Sequence, residues 1–165
     1  MNRRTLLLPV LSVLSVLATA CQVTEVDQPA QSAALDAGLV TVESTLTFEE
    51  TFDRLQAALE ANENLRILTT VDHQANAAGV DQPLPPTRLI LFGNPALGTP
   101  LMQGSRTTAI DLPQKMLVWQ NQDGRVFLTY NDPLYLRQRH GLEGVDEILS
   151  TIANALSTLA NVATR

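Results

Sequence analysis

Few side chains in this chain are equipped for chemistry. There are two histidines, His73 and His140, and one cysteine, Cys21. Beside them stand Asp111 before Leu112-Pro113, and the run Tyr130-Asn131-Asp132-Pro133. An imidazole titrates near neutrality, so His73 is a candidate acid, base or ligand. It ends the alternating row Leu65, Ile67, Thr69, Val71. That places it where a strand gives way to a loop, a common position for sites. Its plainer role is a partly buried imidazole bonded to a loop carbonyl. Asp111 suits a turn cap, and it could orient the His73 imidazole if its strand end faces that way. Tyr130, Asn131 and Asp132 offer a phenol, an amide and a carboxylate, although Asn and Asp before proline are also ordinary turn formers.

His140 lies in Arg137-Gln138-Arg139-His140-Gly141. Cations there suit the last turn of a helix, with anion binding as the alternative. A metal site sharing His73 and His140 with Asp72 or Asp111 lacks any ligand spacing that would support it. No metal, cofactor or catalytic residue is assigned. Trp119 suits sheet packing better than a binding platform.

The segment from Phe92 to Met102 organises the chain. The apolar run Leu89-Ile90-Leu91-Phe92 enters Gly93-Asn94-Pro95-Ala96-Leu97-Gly98-Thr99-Pro100. This reads as a buried strand ending in a loop of fixed shape, with Gly93 and Gly98 allowing positive φ or close approach. It has no Gly-Lys-Ser/Thr, so it is not a phosphate loop. No Gly-x-Ser-x-Gly elbow occurs either. Any chemistry there would come from residues the loop positions. The candidate ligand or catalytic set is therefore His73, Phe92, Asn94, Asp111, Tyr130 and Asn131.

The elements that must hold these residues follow from periodicity. Val40 and Val42 begin a strand. Thr47-Phe48-Glu49-Glu50 is a capping box for a helix over 48–61, whose apolar stripe is Phe48, Phe52, Leu55 and Leu59. Strands are expected at 65–73 and 87–92, with a short helical turn closed by Gly79 between them. A short edge strand is expected over 107–112. Lys115–Gln120 and Arg125–Tyr130 flank Asn121-Gln122-Asp123-Gly124, a hairpin signal. Residues 134–139 suit one or two helical turns. Ile148, Ile152, Ala155, Leu156, Leu159 and Ala163 mark a long last helix. The expected fold class is α+β, a mostly antiparallel sheet with helices packed on one face.

The 165 residues are 45% hydrophobic, enough for one core. The net charge is −6, and about −8 once Arg3 and Arg4 leave with the leader, so nucleic acid is a poor partner. A single cysteine excludes an internal disulfide. Residues 1–20 read as a signal peptide: two arginines, a short apolar stretch, then Ala18-Thr19-Ala20 before Cys21. Leu17-Ala18-Thr19-Ala20-Cys21 resembles a bacterial lipobox, with Ala18 where a larger aliphatic residue is usual. The resemblance implies a lipid on Cys21, cleavage before it, and a membrane anchor. Ordinary cleavage after Ala20 is the alternative. Gln22 lacks the aspartate associated with inner-membrane retention, so the expected place is the cell envelope, on the periplasmic side of an outer membrane where one exists. Residues 21–38 then serve as the lipidated N-terminus and tether, and 39–165 as one domain.

From about Thr47 to Leu142 the chain resembles the bacterial and archaeal domain-of-unknown-function family DUF302. The resemblance is carried by Asp72-His73, Phe92-Gly93-Asn94-Pro95, Gly98-Thr99-Pro100-Leu101-Met102, Asp111-Leu112-Pro113, Leu117-Val118-Trp119, Tyr130-Asn131-Asp132-Pro133 and His140-Gly141-Leu142. It implies a strand–helix–four strands–helix fold similar to the TATA-box-binding-protein repeat, without implying DNA binding. It also implies a homodimer. Gln114 departs from the pattern, standing where members often carry leucine. The resemblance supplies no reaction. The expected function is a lipid-anchored or secreted envelope domain that binds a small molecule or an envelope protein without catalysis. An enzyme centred on His73 and a purely structural dimerisation module are the alternatives.

Overall fold

The computed structural model describes residues 38–165. The leader, Cys21 and nearly all of the tether lie outside the described residues. Strand β1 (Leu39–Glu43) leads into α1 (Phe48–Glu60), and β2 (Arg66–Asp72) into the short α2 (His73–Ala78). Strand β3 (Thr87–Gly93) is followed by α3 (Pro95–Gly104) and a 3-10 turn (Arg106–Ile110). The hairpin β4 (Gln114–Gln120) and β5 (Val126–Asn131) precedes α4 (Pro133–His140) and α5 (Asp146–Thr164). The sheet order is β1-β5-β4-β3-β2, with every neighbouring pair antiparallel. This is the expected α+β class.

The capping box forms as its spacing dictates. The Glu50 N–H donates to Thr47 Oγ1, and the Thr47 N–H donates to Glu50 Oε2 at 3.0 Å. Helix α1 then buries Phe48, Phe52, Leu55 and Leu59. Helix α5 buries Leu149, Ile152, Leu156 and Leu159, while Ser150, Thr151, Asn154, Ser157 and Thr158 face water. The two helices pack on each other and on one face of the sheet. Ile90, Met116 and Tyr130 lie in register across β3, β4 and β5 and point into this core. Gly124, at φ +82°, closes the hairpin in a conformation that suits glycine.

The segment that follows β1 is tied to the end of α5. The Thr45 N–H and its hydroxyl donate to the Thr164 carbonyl at 3.0 and 3.1 Å. These contacts satisfy one of the carbonyls left open at the end of α5.

Two local expectations are corrected. The segment after Gly93 is a helix rather than a loop. Asn94 caps it, its Oδ1 accepting from the Ala96 N–H at 2.9 Å, and Pro95 sits in the first turn, where a missing N–H costs nothing. Neither Gly93 nor Gly98 has positive φ. Residues 107–112 do not form an edge strand. Arg106–Ile110 is a 3-10 turn with Thr108 buried, and the Leu112–Pro113 peptide that follows is cis.

Candidate functional site

Antiparallel pairing separates the sequence-derived candidates. Arg66 pairs with Gly93 at one end of β2, and Asp72 with Arg88 at the other. His73 therefore sits at the far end of β2 from Phe92 and Asn94, a strand length of roughly 20 Å. There it is the first residue of α2, capped by Asp72, whose Oδ1 accepts from the Ala75 N–H at 2.9 Å. His73 does not line the cavity beside Phe92 and Asn94. Tyr130 is buried in the core, and burial raises its phenol pKa, with Asp132 adding to the effect. Asn131 ends β5 opposite Leu39.

Asp111 does hold an imidazole, but it is that of His140. The conditional pairing of Asp111 with His73 is corrected here: the 3-10 turn packs against α4, not against the end of β2. Nε2 of His140 lies 2.6 Å from Asp111 Oδ2, and both side chains are less than one-tenth exposed. Arg139 Nη1 donates to Asp111 Oδ1 at 3.0 Å, and Lys115 Nζ donates to the Asp111 carbonyl at 2.7 Å. Half-burial pushes the Lys115 ammonium pKa down, opposed by the nearby Asp111 charge. On its other edge, His140 Nδ1 is 2.9 Å from the exposed hydroxyl of Thr107, which in turn meets Ser105 Oγ at 2.9 Å. The result is a carboxylate–imidazole–hydroxyl chain. Nε2 donating to the carboxylate leaves Nδ1 of a neutral ring as the acceptor from Thr107. Sequence reasoning missed the pair because Asp111 and His140 are 29 residues apart. Only the docking of α4 on the 3-10 turn brings them together.

Phe92 and Asn94 belong to a second feature. A cavity of about 360 Å³ opens where the start of β2, the end of β3, α3, the start of β4 and the middle of α5 meet. Phe92, Leu97, Met102, Leu112, Ile152 and Leu156 form much of its wall. The volume falls at the low end of small-molecule pockets, roughly 300–1,000 Å³, and the apolar wall is typical of them. Polar groups are sparse: Asn94, Thr99, Gln114 and Arg66. The Asn94 oxygen is already used as the α3 cap. Gln114 is 8% exposed, and its Nε2 has no hydrogen-bond partner among the described residues. A buried, unpaired amide costs free energy unless something satisfies it. The departure at Gln114 thus changes the wall of the cavity, whereas the sequence placed it only on a strand. Ala109, Leu112 and Pro113 line the cavity, while Asp111 among them turns its carboxylate to α4. The cavity and the Asp111–His140 pair share one connecting segment.

No helix among the described residues is long and apolar enough to cross a membrane. No cluster of three or more His, Cys, Asp or Glu among them could hold a metal ion.

The family model described as "Domain of unknown function DUF302" matches residues 40–159. Among curated proteins, a fluoride-specific ion channel FluC 1 of Brucella suis biovar 1 (strain 1330) is 47% identical over 114 residues, covering 69% of this chain and 44% of that protein. The FluC 1 of Brucella abortus biovar 1 (strain 9-941) is also 47% identical over 114 residues, which make up 42% of its length. The chain thus spans less than half the length of the curated relatives it matches. A solved structure, an uncharacterized conserved DUF302 protein from Bacillus stearothermophilus, shares the fold with a TM-score of 0.68 at 19% identity, covering 78% of this chain and 98% of that one.

Proposed function

This chain belongs to the DUF302 family, and from that premise we propose that it is an envelope domain, lipid-anchored through Cys21, that binds a small apolar molecule without catalysis. The observation that carries the binding reading is the cavity of about 360 Å³ beside Phe92 and Asn94, apolar in most of its wall. The unpaired amide of Gln114 supports a ligand that brings a polar atom of its own. The lipobox-like Leu17–Cys21 run supports the anchor. The curated relatives, named as fluoride-specific ion channels, carry a similar 114-residue stretch inside a longer protein. That association supports a place beside a membrane and makes an envelope protein a candidate partner. Fluoride conduction is a property named for those whole proteins.

The test is a neutral hydrophobic dye, N-phenyl-1-naphthylamine, whose fluorescence rises in an apolar site. The wild type is expected to bind it at one site, and Ala155→Phe, which fills the cavity from α5, is expected to abolish binding. Equal binding by both would refute the reading. Mass spectrometry of the mature N-terminus tests the anchor: a diacylglyceryl adduct on Cys21 is expected, and cleavage after Ala20 with a free thiol would refute it.

A homodimer is proposed through the face of the sheet turned away from α1 and α5. Leu89, Leu91, Leu117 and Trp119 lie half-buried there. An isologous pairing would cover them twice over.

A second reading has its own observation in the carboxylate–imidazole–hydroxyl chain. Thr107 Oγ1 would attack an acyl carbon, its proton passing to His140 Nδ1. The same proton would then go to the leaving group as the bond between the acyl carbon and that group breaks, leaving the acyl group on Thr107. Labelling by a fluorophosphonate, lost in Thr107→Val, would support this. An unlabelled wild type would end it.

A further inference from the structure

The cavity carries one formal charge among its lining residues. That residue is Arg66, the first of β2, and no Asp or Glu lines the wall with it. Among the described residues Arg66 is in no ion pair and donates no side-chain hydrogen bond, unlike Arg88, Arg125, Arg137 and Arg139. It is exposed and sits on an edge strand at the cavity, where a long arginine side chain can keep its charge hydrated beside an apolar wall. Leu68, two residues on and 56% exposed, adds an uncovered aliphatic side chain to the same margin. A lone cation at the edge of an apolar pocket selects by sign as well as by hydrophobicity, its local charge acting against the chain's overall charge of −6.

We infer that the cavity takes an anionic amphiphile: an alkyl chain lies along Phe92, Leu112 and Leu156, and an acidic headgroup, a carboxylate for example, sits on Arg66. This rests on the proposed binding role of the cavity and adds the chemical class of the ligand. Arginine suits the headgroup because its planar fork can meet two oxygens at once and stays charged at any working pH. The partners are complementary along the pocket axis: cation to anion at the mouth, methylene to aliphatic wall inside. Raising the ionic strength should weaken the headgroup contribution and leave the alkyl contribution in place.

The experiment displaces N-phenyl-1-naphthylamine with three straight-chain probes of equal length: decanoate, decan-1-ol and decylammonium. Decanoate is expected to bind about fivefold to tenfold more tightly than decan-1-ol, with decylammonium weakest. Arg66→Gln is expected to equalise decanoate and decan-1-ol while leaving decan-1-ol unchanged. Arg66→Lys is expected to keep part of the preference. Arg54→Gln serves as the control, since it removes an exposed arginine that does not line the cavity and should preserve the ratio of decanoate to decan-1-ol. Because Arg66 is exposed, its replacements test charge without disturbing the core. Equal affinities in the wild type, or a preference that survives Arg66→Gln, would overturn the headgroup assignment while the apolar cavity still stands. If neither the dye nor any alkyl probe binds, the binding role of the cavity falls, and this inference falls with it.

Discussion

Asp111 and His140 meet at 2.6 Å, each buried, each on a different segment, and they join the 3-10 turn to α4. Removing either leaves the other desolvated. Arg139 is half exposed and compensates only the carboxylate. Asp111→Ala is expected to lower unfolding free energy by about 3 kcal/mol, and His140→Ala by about 2 kcal/mol. The double variant should lose less than the sum, with a coupling of roughly 1–2 kcal/mol. Urea denaturation of the four proteins measures the cycle, and additive losses would contradict the pairing.

Phe92 sits at 1% exposure where β3 meets the cavity. Phe92→Ala is expected to cost about 3–5 kcal/mol through lost burial and a larger void. Phe92→Leu should cost less. Thermal melts give the order, and a Phe92→Ala protein as stable as wild type would contradict the packing.

Arg88 lies over two aromatic rings, 5.1 Å from the Phe48 centroid and 4.8 Å from that of Phe52, and also reaches Glu49 and Asp72. It lies on the core-facing row of β3, in register with Val118. Lysine keeps the charge but loses the planar fork and the stacking. Arg88→Lys is expected to destabilise by about 1 kcal/mol and Arg88→Ala by about 2 kcal/mol. Chemical denaturation checks this, and an unchanged midpoint for Arg88→Lys would argue against stacking.

Asp72 has its carboxyl pKa lowered chiefly by the Ala75 N–H; desolvation opposes this as the next-largest effect, and Arg88 and the Gln74 N–H lower it further. A depressed folded-state pKa means the unfolded chain takes up the proton first as pH falls. Its stabilisation is thus present above the ordinary aspartate value of about 3.9 and is lost as pH falls through the lowered folded value. Asp72→Ala is expected to flatten this part of the acid limb of the stability curve and to leave the slope near neutrality unaltered. Melting temperatures across acidic buffers decide it. A parallel offset at every pH would show that the cap does not titrate as argued.

The sheet face carrying Leu89, Leu91, Leu117 and Trp119 gives a hydrodynamic prediction. Light scattering is expected to show a dimer for the wild type and a monomer for Leu117→Lys, since a cation there would be buried unpaired in the interface. A monomeric wild type at high concentration would dismiss the dimer.

Much of this fold was legible in the sequence because it rests on local patterns. The capping box at Thr47–Glu50, the Asp123-Gly124 hairpin and the stripe of α5 each fix an element with short-range information. The Phe92–Met102 segment reads as a loop in the sequence because glycine and Pro100 depress helix propensity. Yet Asn94 as cap and Pro95 in the first turn are helix-start signals, and packing over Phe92 and Leu112 overrode the propensity. The site was harder. Which candidates meet depends on register: Arg66 opposite Gly93 sends His73 away from Asn94, and no single-strand pattern encodes that pairing. His140 was read through its own helix end, whereas its partner comes from a turn mistaken for a strand. Gln114 was read only as a departure from a pattern, because its significance lies in the cavity behind it.

The bonds from Thr45 to the carbonyl of Thr164 have a wider consequence. They put the last turn of α5 against the residues that leave β1, so the described domain is entered and left within one short strand's length, roughly 17 Å. A unit with neighbouring ends can be spliced between or beside other segments without stretching either join. The register also sets the direction: the chain enters β1 at the cavity-bearing end of the sheet, and α5 ends beside the opposite end of that strand.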